Sequence, residues 1–405
     1  MALPIDADDV RRAHVAIEGA VVRTPTAYSK ALALVTGADV FVKFENLQYT
    51  GSFKERGARN QLASLSAKDC KRGVIASSAG NFAQAVAYHA GLLDIPACVV
   101  MPSATPPVKV ARTEALGARV SLHGRSFDDA KKHAESLAVA DGLTLLSPFD
   151  TPEVIAGEGT VAIEMLEDVP DLDTLVVPVG GGGLLSGMAV VARDMAPAVE
   201  LVGVQSEAFP GMVAALHGDP LPVGGTTIAE GIAVKQPGAI TRAILEALET
   251  DVVVVSEPRI EEAVCMYLEV EKVVAEGAGA APLAALLQHG DRFAGRRVGL
   301  VLSGGNIDLT LLASVIIRGV VRSGRLAVLR VTLPDEPGAL GRLTTIVGEH
   351  GANIIEVRHG RYALSMQLRL AQVELTVEAS TAAQVAELVA AIEAAGYAVH
   401  VLPAA

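Results

Sequence analysis

The feature that most constrains the fold is a long alternation of strand-like and helix-like segments between residues 74 and 302. The strand-like segments are short runs of valine, isoleucine and leucine, and each is followed by a stretch with helical periodicity. Such a pattern is typical of a parallel sheet covered by helices on both faces. The strands predicted from it are 40–44, 73–77, 96–101, 118–122, 175–178, 201–204, 252–255 and 298–302. Sheets of this kind bind ligands at the carboxyl ends of their strands, so function is expected in the loops that follow them.

The pattern changes after residue 322, where the polar sequence Arg-Ser-Gly-Arg predicts a linker. The next eighty residues give the order βαββαβ, which is the ferredoxin-like split motif. We therefore predict a larger domain at 1–322, with a small subdomain of about 47–150 inserted in it, and a second domain at 326–405.

Composition excludes several classes of partner. The 405 residues carry a formal net charge of −13 and contain no basic run, which argues against nucleic acid and anionic membranes as partners. Glycine, proline or charge interrupts every long apolar window, so no spanning helix is expected. The polar, acidic first fifteen residues do not resemble a signal peptide, and we expect a cytoplasmic protein. Cys70, Cys98 and Cys265 are widely separated, which favours buried thiols over a zinc site.

A segment around Lys54 is a candidate for nucleophilic chemistry. It contains a predicted strand, a turn with Asn46 and Gly51, and a helix expected to begin near Ser52, a good N-cap residue. Lys54 then falls in the first helical turn, where the helix dipole disfavours a cation, and a neutral amine can attack a carbonyl carbon. An exposed lysine with no such role is the simpler alternative.

Four consecutive glycines, Gly180, Gly181, Gly182 and Gly183, lie between a predicted strand and a helix that starts at Leu184. Backbone N–H groups without neighbouring Cβ atoms can converge on an anion, and the helix N-terminus adds partial positive charge. The spacing fits a dinucleotide loop badly and lacks the GK[ST] ending of a P-loop. A phosphate monoester fits best. A tight turn is the alternative, but four glycines in a row cost entropy unless close approach is needed.

Several strings resemble one family in the same order along the chain. Ser-Phe-Lys-Glu-Arg-Gly-Ala at 52–58 is similar to the Schiff-base segment of the fold-type-II pyridoxal-phosphate enzymes, and most similar to that of threonine and serine dehydratases. Ser-Ala-Gly-Asn at 78–81, the glycine loop, Glu-Gly-Ala-Gly-Ala at 276–280 and Leu-Ser-Gly-Gly-Asn at 302–306 continue the match. The resemblance implies a tryptophan-synthase-β-like catalytic region of two subdomains, and makes 1–322 the catalytic domain.

The resemblance also implies which residues form the site. Lys54 would carry pyridoxal 5'-phosphate as a Schiff base, the glycine loop would bind its phosphate, and Ser303 would bond its pyridine nitrogen. A hydroxyl there makes the ring a weaker electron sink than a carboxylate would, which favours prompt loss of a β-substituent. The implied cofactor residues are Lys54, Phe53, Asn81, Gly180, Gly181, Gly182, Gly183, Leu184, Glu276 and Ser303, and those for the substrate carboxylate are Ser78, Ala79, Gly80 and Asn81.

The reaction that the resemblance implies is β-elimination of L-threonine, and also of L-serine, to 2-oxobutanoate or pyruvate and ammonia. Racemases of the family need a serine where this chain has Ala79, so one-base chemistry is expected. Their divalent-ion site uses a glutamate where this chain has Gln205, and we expect no metal there. Phe82 departs from the usual histidine and leaves a polar role at that position open. A serine dehydratase or racemase and a catabolic threonine dehydratase remain alternatives.

The segment 331–343, followed by 351–354, resembles an ACT domain, and this makes 326–405 a regulatory domain. In that family a small amino acid binds the loop after the first strand, commonly across a dimer interface. The resemblance implies effector control by isoleucine or valine, a role in isoleucine synthesis, and a homodimer or homotetramer. A dimerisation module without effector, or an amino-acid sensor with an inactive catalytic domain, is the alternative. The effector residues carried over are Asp335, Gly338, Leu340 and Asn353.

Overall fold

The structure is a computed structural model that describes residues 3–218, 223–360 and 368–402, so the outermost predicted domain limits, residues 1 and 405, lie outside it. The chain divides into two compact units, Met1–Asp308 and Leu309–Ala405. Within the described ranges, no helix is both long and apolar enough to cross a membrane.

The strands of the first unit carry most of its valine, isoleucine and leucine runs. They are β1 Thr26–Tyr28, β2 Asp39–Phe44, β3 Val74–Ser77, β4 Ala97–Met101, β5 Arg119–Leu122, β6 Thr144–Leu145, β7 Thr174–Pro178, β8 Glu200–Ser206, β9 Asp251–Val255 and β10 Arg297–Leu302.

The helices of the same unit connect these strands and cover the sheets. They are α1 Ala7–Ile17, α2 Lys30–Thr36, α3 Lys54–Ala63, α4 Ala67–Arg72, α5 Asn81–Leu92, α6 Pro107–Ala115, α7 Phe127–Asp141, α8 Pro152–Asp168, α9 Gly183–Met195, α10 Gly211–His217, α11 Ala239–Ala247, α12 Glu257–Met266, α13 Gly277–Gln288 and α14 Gly290–Phe293. Short 3₁₀ turns lie at Glu45–Leu47 and Glu230–Ile232, and a π-helical turn at Tyr267–Glu271.

The strands form two sheets. The larger has the order β1-β2-β10-β7-β8-β9, in which β1 is antiparallel and the rest are parallel. The smaller has the order β5-β4-β3-β6 and is parallel throughout. The predicted parallel α/β architecture is confirmed. The connections between successive parallel strands contain helices, which return the chain to the end of the sheet where the next strand begins.

Two glycines bring α8 and α9 together. A Cβ on Gly187 would overlap the carbonyl oxygen of Ile155 and would lie 2.7 Å from the backbone nitrogen of Gly159. Because neither glycine has a side chain, the two helices meet at backbone contact. This crossing holds the start of α9, and with it the glycine loop, beside the middle of α8.

The predicted N-cap of the lysine-bearing helix is wrong. The helix α3 begins at Lys54, its N-cap residue is Phe53, and no side chain caps it. Ser52 instead forms an isolated antiparallel bridge with Gly304, and its buried hydroxyl has no hydrogen-bond partner within the described residues. Pairing with the loop after β10 has taken the place of a local cap, and it ties the lysine to the edge of the larger sheet.

The second unit begins with the helix α15 Leu309–Arg322 and then follows the predicted ferredoxin-like order. The elements of that order are β11 Leu326–Pro334, α16 Ala339–Glu349, β12 Asn353–Gly360, β13 Leu370–Glu378, α17 Ala382–Ala394 and β14 Ala398–Leu402. Its antiparallel sheet has the order β12-β13-β11-β14. Alternate residues of β11 and β13 are buried, so one face of the sheet packs on the two helices.

Candidate active site

Lys54 is held by two contacts that the sequence did not reveal. Its side chain is 16% exposed, and Nζ donates hydrogen bonds to the carbonyl oxygen of Pro148 at 2.6 Å and to Oε1 of Glu158 at 2.8 Å. The ring of Phe53 lies with its centroid 4.6 Å from Nζ. The amine is therefore fixed in direction, and it has a counter-charge close to it.

Glu158 is fully buried on α8. Burial raises the pKa of its carboxyl group, and the attraction and hydrogen bond of Lys54 oppose that rise. Oε2 has no hydrogen-bond partner within the described residues. The one signal in the sequence was a glutamate in the otherwise uncharged stretch 154–163. Only the fold shows that this glutamate faces the lysine.

The glycine loop lies in a place where side chains do not fit. A Cβ on Gly181 would overlap the ring of Phe149, one on Gly182 would lie 2.6 Å from the methyl group of Met212, and one on Gly183 would overlap Oε2 of Glu158. Gly182 also has a φ of +101°. The loop leads into α9, whose first N–H groups have no partner within the helix. The loop could therefore act as a backbone cradle for an anion at a helix N-terminus. The side chain of Leu184 points into the core.

Four of the predicted residues meet at the edge formed by the loop after β10. The backbone N–H of Phe53 donates to the carbonyl oxygen of Ser303 at 3.0 Å, so Ser303 lies beside the residue that precedes Lys54. Asn81 Nδ2 donates to Oε1 of Glu276 at 2.7 Å. The backbone N–H of Glu276 in turn donates to the carbonyl oxygen of Gly304 at 3.0 Å.

Asn306 completes this arrangement and was not singled out from the sequence. Its Nδ2 donates to the carbonyl oxygen of Thr50 at 2.6 Å and to Oδ1 of Asn81 at 2.9 Å. The side chain thus joins the turn before α3 to the start of α5. Its place at the end of the LSGGN string was the only signal that could have identified it.

The predicted carboxylate loop leads into α5. Ser78 Oγ accepts a hydrogen bond from the backbone N–H of Gly80 at 3.2 Å, and Ala79 packs partly against an apolar cluster. Gly80 is the exposed N-cap residue of α5, without a side-chain cap. Phe82 is 3% exposed and belongs to an apolar core cluster, so it packs inside the fold.

Glu276 gives the site a predicted pH dependence of stability. Burial raises the pKa of its carboxyl group from 4.5 to about 7, although the hydrogen bond from Asn81 lowers it. Between these values the folded protein binds more proton than the unfolded chain, so the free energy of unfolding falls as pH rises. We expect Glu276→Gln to be as stable as wild type near pH 4.5. Above pH 7 the variant should be more stable by roughly 3 kcal/mol.

Urea denaturation of the cofactor-free proteins across this pH range measures the effect. Glu18→Gln, at an exposed position, is the matched control and should follow wild type at every pH. A Glu276→Gln curve parallel to that of wild type would contradict the prediction.

The predicted effector residues do not form one cluster within a chain. Asp335 and Gly338 lie in the loop between β11 and α16, and Leu340 packs partly against the core of the second unit. Asn353 begins β12 and lies opposite Glu378 of β13, which in turn lies opposite Leu326, the first residue of β11. Asp335 follows the last residue of β11, at the other end of that strand. Eight residues of strand separate the two ends, a distance of roughly 27 Å. A site that uses both regions would therefore need a second copy of the domain.

Gln205 is used inside the fold. Its Nε2 donates to the carbonyl oxygen of Val179 at 3.2 Å, and Oε1 accepts from the backbone N–H groups of Met212 and Val213 at 2.9 and 3.0 Å. Among the described residues, no group of three or more histidine, cysteine, aspartate or glutamate side chains is arranged to hold a metal ion.

The chemistry of the site fits an aldehyde cofactor that carries a phosphate. It offers a directed primary amine, a glycine cradle that any Cβ would fill, and a nearly buried serine, Ser303, beside the lysine segment. Each of these groups matches one functional part of pyridoxal phosphate, namely the aldehyde, the phosphate and the ring nitrogen.

Comparisons with known proteins agree with this geometry. The family model described as pyridoxal-phosphate dependent enzyme matches residues 17–304, and the ACT domain model matches 327–395. An L-threonine ammonia-lyase of Thermotoga maritima is 44% identical over 400 residues, which cover 98% of this chain and 100% of the relative.

Solved structures agree with the sequence comparisons. Threonine deaminase isoform 2 of Solanum lycopersicum has a TM-score of 0.72 at 32% identity and covers 78% of this chain and 89% of its own. Maize serine racemase has a TM-score of 0.73 at 32% identity and covers 79% and 99%.

Proposed function

The chain belongs to the family of pyridoxal-phosphate-dependent enzymes and carries an ACT domain, and on this basis we propose that it is an L-threonine ammonia-lyase. It would convert L-threonine to 2-oxobutanoate and ammonia, accept L-serine as a second substrate, and supply isoleucine synthesis. The observation that carries the proposal is the 44% identity to an L-threonine ammonia-lyase along the length of both proteins.

The proposed roles of the cofactor residues follow the chemistry of each group. Lys54 would hold the aldehyde, Gly180–Gly183 would bind the phosphate through backbone N–H groups, and Ser303 would face the ring nitrogen. Phe53 and Glu276 would lie beside the ring, and Asn81 would lie beside its 3-oxygen. The hydrogen bond between Asn81 and Glu276 supports placing these two residues next to each other at the ring. When bound, pyridoxal phosphate withdraws electrons from the substrate Cα, so that its proton becomes acidic.

The remaining chemistry belongs to the protein. The backbone amides of Ser78–Asn81 would orient the substrate carboxylate, and the freed Lys54 amine would take the Cα proton. Ala79 offers no second acid–base group, so a proton removed by Lys54 returns only to the same face. This supports elimination over racemisation.

Product analysis tests the proposal directly. Purified protein loaded with the cofactor should form 2-oxobutanoate from L-threonine, form pyruvate from L-serine more slowly, and leave no D-serine. The fold similarity to maize serine racemase makes racemisation the second candidate, and D-serine formed faster than pyruvate would establish it. Failure to turn over either amino acid would favour an amino-acid sensor with an inactive catalytic domain.

Regulation by the ACT domain is part of the proposal, with a catalytic domain at 1–322 and a regulatory domain at 326–405. We expect L-isoleucine to inhibit the full chain, with a change of about 5- to 150-fold in apparent affinity for substrate, because allosteric couplings amount to about 1–3 kcal/mol. A chain that ends at Arg322 should not respond. The measurement is a titration of initial rate in both chains, with D-isoleucine as the control.

Equal inhibition of both chains would remove the ACT domain from regulation. L-valine should reverse the effect of L-isoleucine if it competes for the same site. The separation of Asp335 from Asn353 supports a site shared by two copies, so the effector should also shift the sedimentation of the full chain. A homodimer or homotetramer and a cytoplasmic location stay predictions of the sequence.

A further inference from the structure

We propose that Glu158 accepts a proton from the Lys54 ammonium group and, once protonated, donates a hydrogen bond to the phosphate held by Gly180–Gly183. This inference rests on the proposed function, because it assumes that the glycine loop binds the cofactor phosphate. It makes Glu158 a group of the active site that touches both the reacting amine and the cofactor.

The geometry places one carboxyl group between the two partners. Oε1 of Glu158 lies 2.8 Å from Nζ of Lys54. Oε2 faces the opposite way, toward the start of α9, where a Cβ on Gly183 would overlap it. Oε2 has no hydrogen-bond partner within the described residues although it is buried. A buried carboxylate oxygen without a donor is costly, so this atom is expected to gain a partner when the site is filled.

The charges around Glu158 determine whether its carboxyl group is ionised or protonated. Within the described chain, the charged side chain that acts on Glu158 is Lys54 of α3. The other neighbour of Glu158 on α3 is Gly57, which packs against its Cγ atom and carries no charge. On the side of α9 the neighbour is Gly183. Asp150, in the loop before α8, directs its carboxylate to the backbone N–H groups that begin α11. Among the residues that the structure describes, no second cation therefore offsets a carboxylate placed beside a phosphate dianion.

Proton transfer within the pair resolves this conflict without a net change in charge. The proton leaves Nζ and binds Oε1, so that an ammonium and a carboxylate become a neutral amine and a carboxylic acid. A half-turn about the Cγ–Cδ bond then exchanges the two oxygens and directs the protonated one at the phosphate. The amine is then able to join an aldehyde carbon, because its nitrogen has a free electron pair. The acid has become a donor for the phosphate, and burial favours this neutral pair because it raises the pKa of the carboxyl group.

Infrared difference spectroscopy tests the proposal. The spectrum of the cofactor-loaded protein minus that of the cofactor-free protein should contain the carbonyl band of a protonated carboxyl group, and this band should shift in D₂O. It should vanish in Glu158→Gln and persist in Glu153→Gln, a change one turn and a half earlier on the same helix. A loaded protein without the band, or a band as strong in Glu158→Gln as in wild type, overturns the proposal; the buried carboxyl group of Glu276 is the same in both proteins.

Cofactor affinity gives a second measurement. The amide of Glu158→Gln can also donate to a phosphate, so its dissociation constant should stay within about threefold of wild type. Glu158→Ala lacks a donor and should bind about 10- to 100-fold more weakly, as expected for the loss of a hydrogen bond to a charged group. Equal weakening in both variants would mean that the carboxylate charge is required, and would overturn the proposal.

The outcome is separable from the fate of the proposed function. If borohydride reduction does not attach the cofactor to the peptide that contains Lys54, both proposals are wrong. If that peptide is labelled and L-threonine is deaminated but the carboxyl band is absent, only the role of Glu158 is wrong. Thermal unfolding of each variant establishes that it is folded before either measurement.

Discussion

Lys54→Ala should abolish the deamination of L-threonine, with kcat/KM reduced by at least about 10⁴-fold, the upper range for loss of one acid–base group. The same change should remove covalent attachment of the cofactor, because the amine that is bonded to both Pro148 and Glu158 is lost. Two measurements check it, namely the initial rate of 2-oxobutanoate formation and mass analysis of the peptide 44–63 after borohydride reduction.

A matched control separates this effect from a general loss of lysine. Lys68 lies on α4 with an exposed side chain, so Lys68→Ala should keep the rate and the labelled peptide of wild type. Lys54→Ala leaves Glu158 buried without its cation, and the carboxyl group can become protonated, so the variant should still fold. Deamination by Lys54→Ala at the wild-type rate would show that the assignment of the lysine is wrong.

The parallel strands and the ferredoxin-like order could be predicted because their signal is local. A run such as Thr174–Pro178 is apolar on both faces, and only a strand covered by helices on both sides buries it fully. The start of α3 could not be predicted in the same way. Ser52 has the side chain of a good N-cap, but its backbone pairs with Gly304, which is 252 positions away in the sequence.

The residues of the candidate site differ in the same way, because some are defined by a local pattern and others by contacts between distant parts of the chain. Lys54 and the four glycines were identifiable because each is defined by residues next to it in the chain. Glu158 and Asn306 depend on contacts that span 104 and 225 positions, and the residues next to them in the chain do not show those contacts. Phe82 shows the converse limit, because the resemblance left the role of this position open and only the fold shows that its side chain packs in the core.

A buried group of four charges supports the helix that carries Lys54. Arg56 is fully buried, and its guanidinium donates to both carboxylate oxygens of Glu45 at 2.8 Å and to those of Glu164 at 2.7 and 2.8 Å. Lys43 donates to Glu164 at 2.6 Å, so two cations balance two anions. The group joins β2, the turn after it, α3 and α8. We therefore expect the orientation of α3, and with it that of the Lys54 amine, to depend on this group.

Arg56→Leu should lower the free energy of unfolding by about 3–5 kcal/mol, because it leaves a buried carboxylate without its partner. Arg23→Leu is the matched control. Arg23 pairs with Glu167 and Asp168 at 2.8 and 2.7 Å, and both acids lie on α8, the helix that also carries Glu164. The side chain of Arg23 is 49% exposed, however. Exposed pairs contribute about 0–1 kcal/mol, so this second change should be nearly neutral. Urea denaturation of the two variants and wild type gives the comparison.

The pH dependence of the Arg56→Leu deficit identifies its cause. In wild type, burial would raise the pKa of the Glu45 carboxyl group, but the charge and hydrogen bonds of Arg56, together with the charge of Lys43 and the hydrogen bond from Thr24, outweigh burial and lower it. Without the arginine, burial dominates and the folded form gains a proton that the unfolded chain lacks. The deficit should therefore shrink as pH falls from neutrality toward 5. A deficit that is the same at every pH would point to lost packing, and one no larger than that of Arg23→Leu would show that α3 is held by its apolar contacts alone.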